Sequence, residues 1–191
     1  MSNEIKFEFI KKNWELRDGV IYSKRTGKPI SFCGTDNSGH RFTITPINGK
    51  RYCVRIHEAV FILHHDRPIA ENKEIHHKDG NPANNAVDNL IELTPKQHRR
   101  IHQYQYDDPM RGIRLVRGAL VFRWLDDNGT HRCRSFHGIN EAMTFRAEIE
   151  EPRRQELRAL GLNCKRSGNG PTRATMRRLN QHDRLCYRCR H

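Results

Sequence analysis

The chain has no long apolar run. No stretch approaches the length needed to cross a bilayer, and the N-terminus lacks the apolar core of a signal peptide. Only 35% of the 191 residues are hydrophobic and mean hydropathy is -0.90. A core built from so little is modest, and small domains of this kind often lean on a metal or ligand for stability. The six cysteines, Cys33, Cys53, Cys133, Cys164, Cys186 and Cys189, lack the density of a disulfide scaffold. A cytoplasmic protein with reduced thiols is expected. Lysine is nearly missing from the second half: of 18 cations in residues 111–191, all but Lys165 are arginine.

What is abundant is positive charge. The net charge is +13 and the isoelectric point about 9.9. Residues 1–110 hold 17 Lys and Arg against 14 Asp and Glu, a balance of +3; residues 111–191 hold 18 against 8, a balance of +10. Such an excess favours polyanions, nucleic acid being the usual one. Arginine offers a planar fork that suits phosphate and the edge of guanine. The bland alternative is a solvated basic surface.

The length allows one large domain or two or three small ones. Residues 1–56 read as short strands and turns. Residues 19–23, 41–45 and 51–56 are strand candidates, and Asn48-Gly49 signals a tight turn. Residues 58–63 read as a short buried helix. Residues 72–104 read as strand, long loop, strand and helix: Glu74-Ile75-His76-His77, a turn at Asp79-Gly80-Asn81-Pro82, then Asn89-Leu90-Ile91-Glu92-Leu93. Thr94 is the expected N-cap of the helix and Pro95 its first residue. Asp107-Asp108-Pro109 reads as a linker. Three strands, at 112–115, 120–124 and 132–136, and a helix at about 140–160 follow. Residues 161–191 read as a loosely ordered basic tail.

The chemistry concentrates in residues 74–102. Hydrolysis of a phosphodiester needs a base to deprotonate water, a cation to stabilise negative charge and the departing oxygen, and a grip on the phosphate. Neighbours on a strand point to opposite faces, so His76 and His77 need not do the same job. One can face the helix and bind metal with His98 and His102, which lie four apart on one helix face. The other can face the substrate as general base.

Residues 75–102 resemble the HNH nucleases of the ββα-metal class. The spacing His77–Asn89–His98 carries the likeness, with the additional His76 and His102 seen in colicin-type DNases. The loop Asp79-Gly80-Asn81, Asn84-Asn85 and Asn89-Leu90 is similar to the subgroup found in phage and intron homing endonucleases. The resemblance implies that His77 is the general base, that Asn89 bonds across the loop and holds the backbone around His77, and that His76 and His98 bind one divalent ion with His102 a third ligand. It implies 5′-phosphate and 3′-hydroxyl products. Many homing members use Asp and Asn ligands, which suit Mg; imidazoles suit Zn, Ni or Mn better. The alternative to catalysis is a closed structural zinc, against which three histidines with an open fourth position argue.

Residues 111–160 resemble, over fewer identities, the Apetala-type DNA-binding domain, whose sheet lies in the major groove with the helix packed behind it. If Phe122 and Trp124 face the helix, Val121 and Arg123 face DNA. Arg114, Arg123, Arg132 and Arg134 are the expected contacts; a generic accessory domain is the alternative. Residues 10–56 loosely resemble the small modules that precede HNH domains, or are a β-extension of the nuclease core. In the tail, the Cys186-x-x-Cys189 pair with Cys164 and His191 could make a zinc knuckle; otherwise these are ordinary thiols.

The expected fold class is therefore α+β: a β-rich module (1–56), a ββα-metal HNH core (57–106), a three-strand-plus-helix DNA-binding domain (111–160) and a basic cysteine-containing tail (161–191). The expected function is that of a metal-dependent DNA endonuclease of homing type, acting as a monomer on double-stranded DNA in the host cytoplasm if phage-encoded. A restriction-type enzyme, a phage packaging or repair nuclease, and a DNA-binding regulator with structural zinc are the alternatives.

Overall fold

Helices and short antiparallel strands alternate along the chain. The computed structural model describes residues 3–104 and 110–164, and the fold divides into two compact units, 1–100 and 101–191, with the division falling inside one helix.

The first unit begins with α1 (Asn3–Asn13), followed by the hairpin of β1 (Trp14–Arg17) and β2 (Val20–Ser23). The short β3 (Gly34–Thr35) then pairs with β4 (Arg41–Ile47), which pairs with β5 (Lys50–Arg55). The chain runs directly into α2 (Ile56–His65), where the Arg55 amide donates to the Glu58 carboxylate at 3.4 Å. The helix ends on Asp66 in the left-handed region. Then come β6 (Glu74–His77), a loop, β7 (Leu90–Leu93) and α3 (Pro95–Tyr104).

The apolar side chains of this unit form one cluster. Ile10 of α1, Trp14, Ile21, Phe32 and Val54 join Ala59, Val60, Phe61 and Ile62 of α2, and the same cluster reaches Ile75 and Leu90 of the β6–β7 pair. The boundary read at residue 56 therefore separates no cores: residues 1–56 and the ββα segment bury their apolar surface together. α1 is also absent from the reading of 1–56 as strands and turns. Ile5, Phe7 and Phe9 alternate with charged residues, the period of a strand. Packing of Phe7, Phe9 and Ile10 against the cluster makes the segment helical instead.

In the second unit β8 (Ile113–Val116), β9 (Ala119–Leu125) and β10 (His131–Phe136) form an antiparallel sheet with β9 central. Gly129, at φ 82°, closes the β9–β10 turn by donating to Asp126 O at 3.1 Å. Gly112 is required where it stands. Its φ is 76°, and a Cβ there would lie 2.9 Å from both Arg123 O and the Phe122 ring. α4 (Ile139–Ala159) covers one face, burying Ala142 against Ile113, Leu120, Phe122 and Phe136. Further along α4, Glu150 bridges Arg146 and Arg154 at 3.0 Å each, and the fully buried Arg154 lies over the Tyr104 ring at 4.4 Å. The expected mixed architecture, with three strands and a helix following the ββα segment, is what the structure has. No helix among the described residues is long and apolar enough to cross a membrane.

Candidate active site

β6 carries the site because a strand shows two faces. His76 and His77 are both buried, at 4% and 3% exposure, yet point into different surroundings. Glu74 and His76 turn towards α3; Ile75 and His77 turn towards α2 and the 36–40 turn. β7 fixes the strand in register, with His77 opposite Leu90 and His76 opposite Ile91.

α3 starts where the sequence says it should. Thr94 and Gln97 make a reciprocal cap: the Gln97 amide donates to Thr94 Oγ1 at 3.2 Å, and the Thr94 amide donates to Gln97 Oε1 at 3.0 Å. With the start fixed, His98 falls opposite β6, its ring 5.0 Å from that of His76. His102 is one turn further on. Ligand nitrogens of His76, His98 and His102 all lie within 4.8 Å of one another. The Glu74 carboxylate sits on His98 Nδ1. A carboxylate only accepts, so it holds the proton on Nδ1 and leaves the Nε2 lone pair outward, the arrangement usual behind a metal-bound imidazole. Three imidazoles, one of them backed by a carboxylate, fit a divalent ion of the zinc or nickel kind.

On the other face, His77 Nε2 meets Asn85 Oδ1 at 3.2 Å. Asn85 also donates from Nδ2 to Ala83 O at 3.1 Å. That second bond fixes which end of the amide is oxygen, so His77 carries its proton on Nε2 and its lone pair on Nδ1. Burial, opposed by the Asn85 bond, holds the His77 pKa below the ordinary histidine value.

Asn89 pins the loop between the strands. Its Nδ2 donates to Asp79 Oδ1 at 3.0 Å and to Asn84 O at 2.8 Å. Its Oδ1 accepts from the Asp79 amide at 3.1 Å, and its backbone carbonyl accepts from the Lys78 amide at 2.8 Å. Asp79 in turn caps the Asn81 amide and accepts from Asn84 Nδ2, both at 2.8 Å. The residues following His77 are thus tied across the loop to Asn89.

Two more histidines, His40 and His57, lie against His77 with ring centroids 5.4 and 5.0 Å away. Neither belongs to the motif. Sequence spacing does not join them to His77; only folding brings the three together. Glu74 and Asn85 lie within the motif but carry roles that depend on geometry.

In the second unit the register sorts the four arginines expected to touch DNA. Arg114 pairs with Val121, and Arg123 with Cys133, on the sheet face away from α4. Arg132 pairs with Trp124 and Arg134 with Phe122, which puts both on the opposite face. There Arg134 lies 4.5 Å over the Phe145 ring of α4, and Arg132 Nε bonds Asp126 at 2.9 Å. The four arginines expected to touch DNA therefore lie on two faces of the sheet, Arg114 and Arg123 on one and Arg132 and Arg134 on the other. The physical reason is the two-residue period of the strand. Of the four residues offered for a second zinc, Cys164 is buried, which pushes its thiol pKa up; Cys186, Cys189 and His191 lie outside the described residues.

Comparison with known proteins follows this geometry. Residues 54–100, from the end of β5 into α3, match the model of the HNH endonuclease family. The chain is 29% identical over 82 residues to the H-N-H endonuclease F-TflII of Escherichia phage T5, a match spanning 42% of each protein. The chain thus spans about two fifths of that relative's length. A solved structure of DNA binding and cleavage by the HNH homing endonuclease I-HmuI overlaps 64% of this chain and 71% of its own, at 18% identity and a TM-score of 0.39.

Proposed function

We propose that the protein is a metal-dependent DNA endonuclease of the HNH type. One observation carries the reading: a single strand presents His77, its tautomer set by Asn85, on one face, and His76 beside His98 and His102 on the other. Base and metal ligands are adjacent in sequence yet separated in space, as the chemistry needs.

In this reading His77 Nδ1 takes the proton of the attacking water, and Asn85 keeps that nitrogen unprotonated and aimed. His76, His98 and His102 hold one divalent ion, with Glu74 behind His98. Such an ion supplies positive charge for the crowded phosphate and the departing 3′ oxygen. Asn89 holds the turn after His77, so that base and ligands keep their spacing. The products are 5′-phosphate and 3′-hydroxyl ends. Arg114 and Arg123 grip DNA, with the remaining arginines supplying general attraction to phosphate. The relative from phage T5, an H-N-H endonuclease, supports endonuclease activity in a phage setting.

The test is supercoiled plasmid with Mg, Mn, Ni or Zn, beside His77→Ala. Conversion to open-circle or linear DNA that requires metal and vanishes in the variant is expected. DNA shifted in a gel but left intact under every metal would favour a regulator with a structural zinc.

A further inference from the structure

The cluster of His40, His57 and His77 has no task in the reaction above beyond that of His77. Each residue is delivered by a different element. His40 ends the turn 36–40, where Asp36 Oδ1 accepts the amides of Ser38 and His40 at 3.0 Å each and Asp36 Oδ2 takes Arg55 Nε at 3.0 Å. His57 lies in the first turn of α2 and is 4% exposed. His77 comes from β6. The ring centroids stand 4.7, 5.0 and 5.4 Å apart, and one nitrogen from each ring lies within 4.8 Å of the other two.

Two features mark this as more than packing. His57 Nδ1 is buried with no hydrogen-bond partner, and buried polar atoms are otherwise nearly always paired with protein, water or an ion. His40 Nδ1 stands 3.3 Å from the Asp36 carboxylate. That repeats at His40 the carboxylate–imidazole support that Glu74 gives His98. Among the described residues these two histidine triads are the only groups whose donor atoms converge in this way.

We propose that His40, His57 and His77 form a second transition-metal site, and that filling it switches the nuclease off. The inference rests on His77 being the base. A neutral imidazole has one lone pair, and coordination uses it, so an ion held there leaves no base for water. Three imidazoles select zinc, nickel or copper over magnesium and calcium. The fourth position is open to water. Low zinc would fill the His76, His98 and His102 site and support cleavage; higher zinc would fill the second site and stop it.

The experiment uses the full chain, stripped of metal with a chelator. Co(II) is titrated against visible absorption and Zn(II) against heat, for the wild type, His40→Ala and His40→Gln. His40 is a part-exposed turn residue, and circular dichroism checks that both variants fold. Each variant should bind one equivalent fewer than the wild type, any binding by the tail being common to all three. His98→Ala should lose a different equivalent, with the His40-dependent one retained. In plasmid cleavage, the zinc concentration that halves activity should rise about tenfold or more in the His40 variants. Equal stoichiometry in wild type and both His40 variants would overturn the second site. Loss of an equivalent with unchanged zinc inhibition would overturn its inhibitory role. If the plasmid is never cut, the proposed nuclease function fails while the binding measurement still decides the metal site.

Discussion

Asn85 accepts the Nε2–H of His77 at 3.2 Å while donating its own amide to Ala83 O at 3.1 Å. The second bond sets the first, and together they choose the tautomer of the proposed base. The base works neutral, and burial lowers its pKa despite the opposing Asn85 bond. The midpoint of the acid limb of kcat/KM should therefore fall at a pH below about 6.5, the ordinary histidine value. In Asn85→Ala the raising bond is gone, so the limb moves lower still, and the mis-aimed ring should cost about tenfold to a hundredfold in rate. In Asn85→Asp a carboxylate faces the ring and favours imidazolium, so the limb should move up. A pH–rate profile of the three proteins checks all three shifts; identical limbs would remove Asn85 from the mechanism.

In the proposed site Glu74 acts through His98. Glu74→Gln keeps the size but loses the charge that supports the ring, and metal affinity should drop about tenfold to a hundredfold. Competition with a chromophoric chelator measures it. Activity should return at high metal, because the three imidazoles remain; failure of excess metal to restore it would point to damage elsewhere.

Binding of DNA should separate the arginines by sheet face. Arg114→Ala and Arg123→Ala should each weaken binding and reduce the salt slope by about one. Arg134→Ala should leave that slope alone and instead cost about 0.5–1 kcal/mol of stability, from its place over Phe145. Binding isotherms at several salt concentrations, beside thermal melts, distinguish the two faces.

Gly112→Ala should destabilise the second unit by more than about 1 kcal/mol. The added methyl meets a carbonyl oxygen and an aromatic ring at 2.9 Å, on a backbone at positive φ. A denaturant melt reads the effect; an unchanged midpoint would mean that the β8 entry is not held as described.

The parts legible in the sequence are those whose cause is local. Thr94, Pro95 and Gln97 announce a helix start because a cap is made within four residues. The offsets of His76, His77, Asn89, His98 and His102 announce one site because the ββα frame is short. α1 was hidden because its strand-like alternation is overruled by packing on residues far along the chain. The grouping of His40 and His57 with His77 is hidden for the same reason: 17 and 20 residues separate neighbours in the triad, and only the fold closes the distance. The arginine faces were half legible. Phe122 and Trp124 gave the parity of β9, but that of β10 follows from the hairpin register, which a turn signal alone leaves open.

In the proposed reaction β6 carries two jobs on neighbouring residues that face opposite ways, and this limits how the protein can evolve. Removing or adding a single residue within Glu74–His77 would exchange the surroundings of every side chain along it, handing the ligand's place to the base. Length change here should come in pairs, whereas the loop beyond Asn81 can change by single steps as long as Asn84, Asn85 and Asn89 still reach back. Among related chains, insertions should gather in that loop and spare the strand.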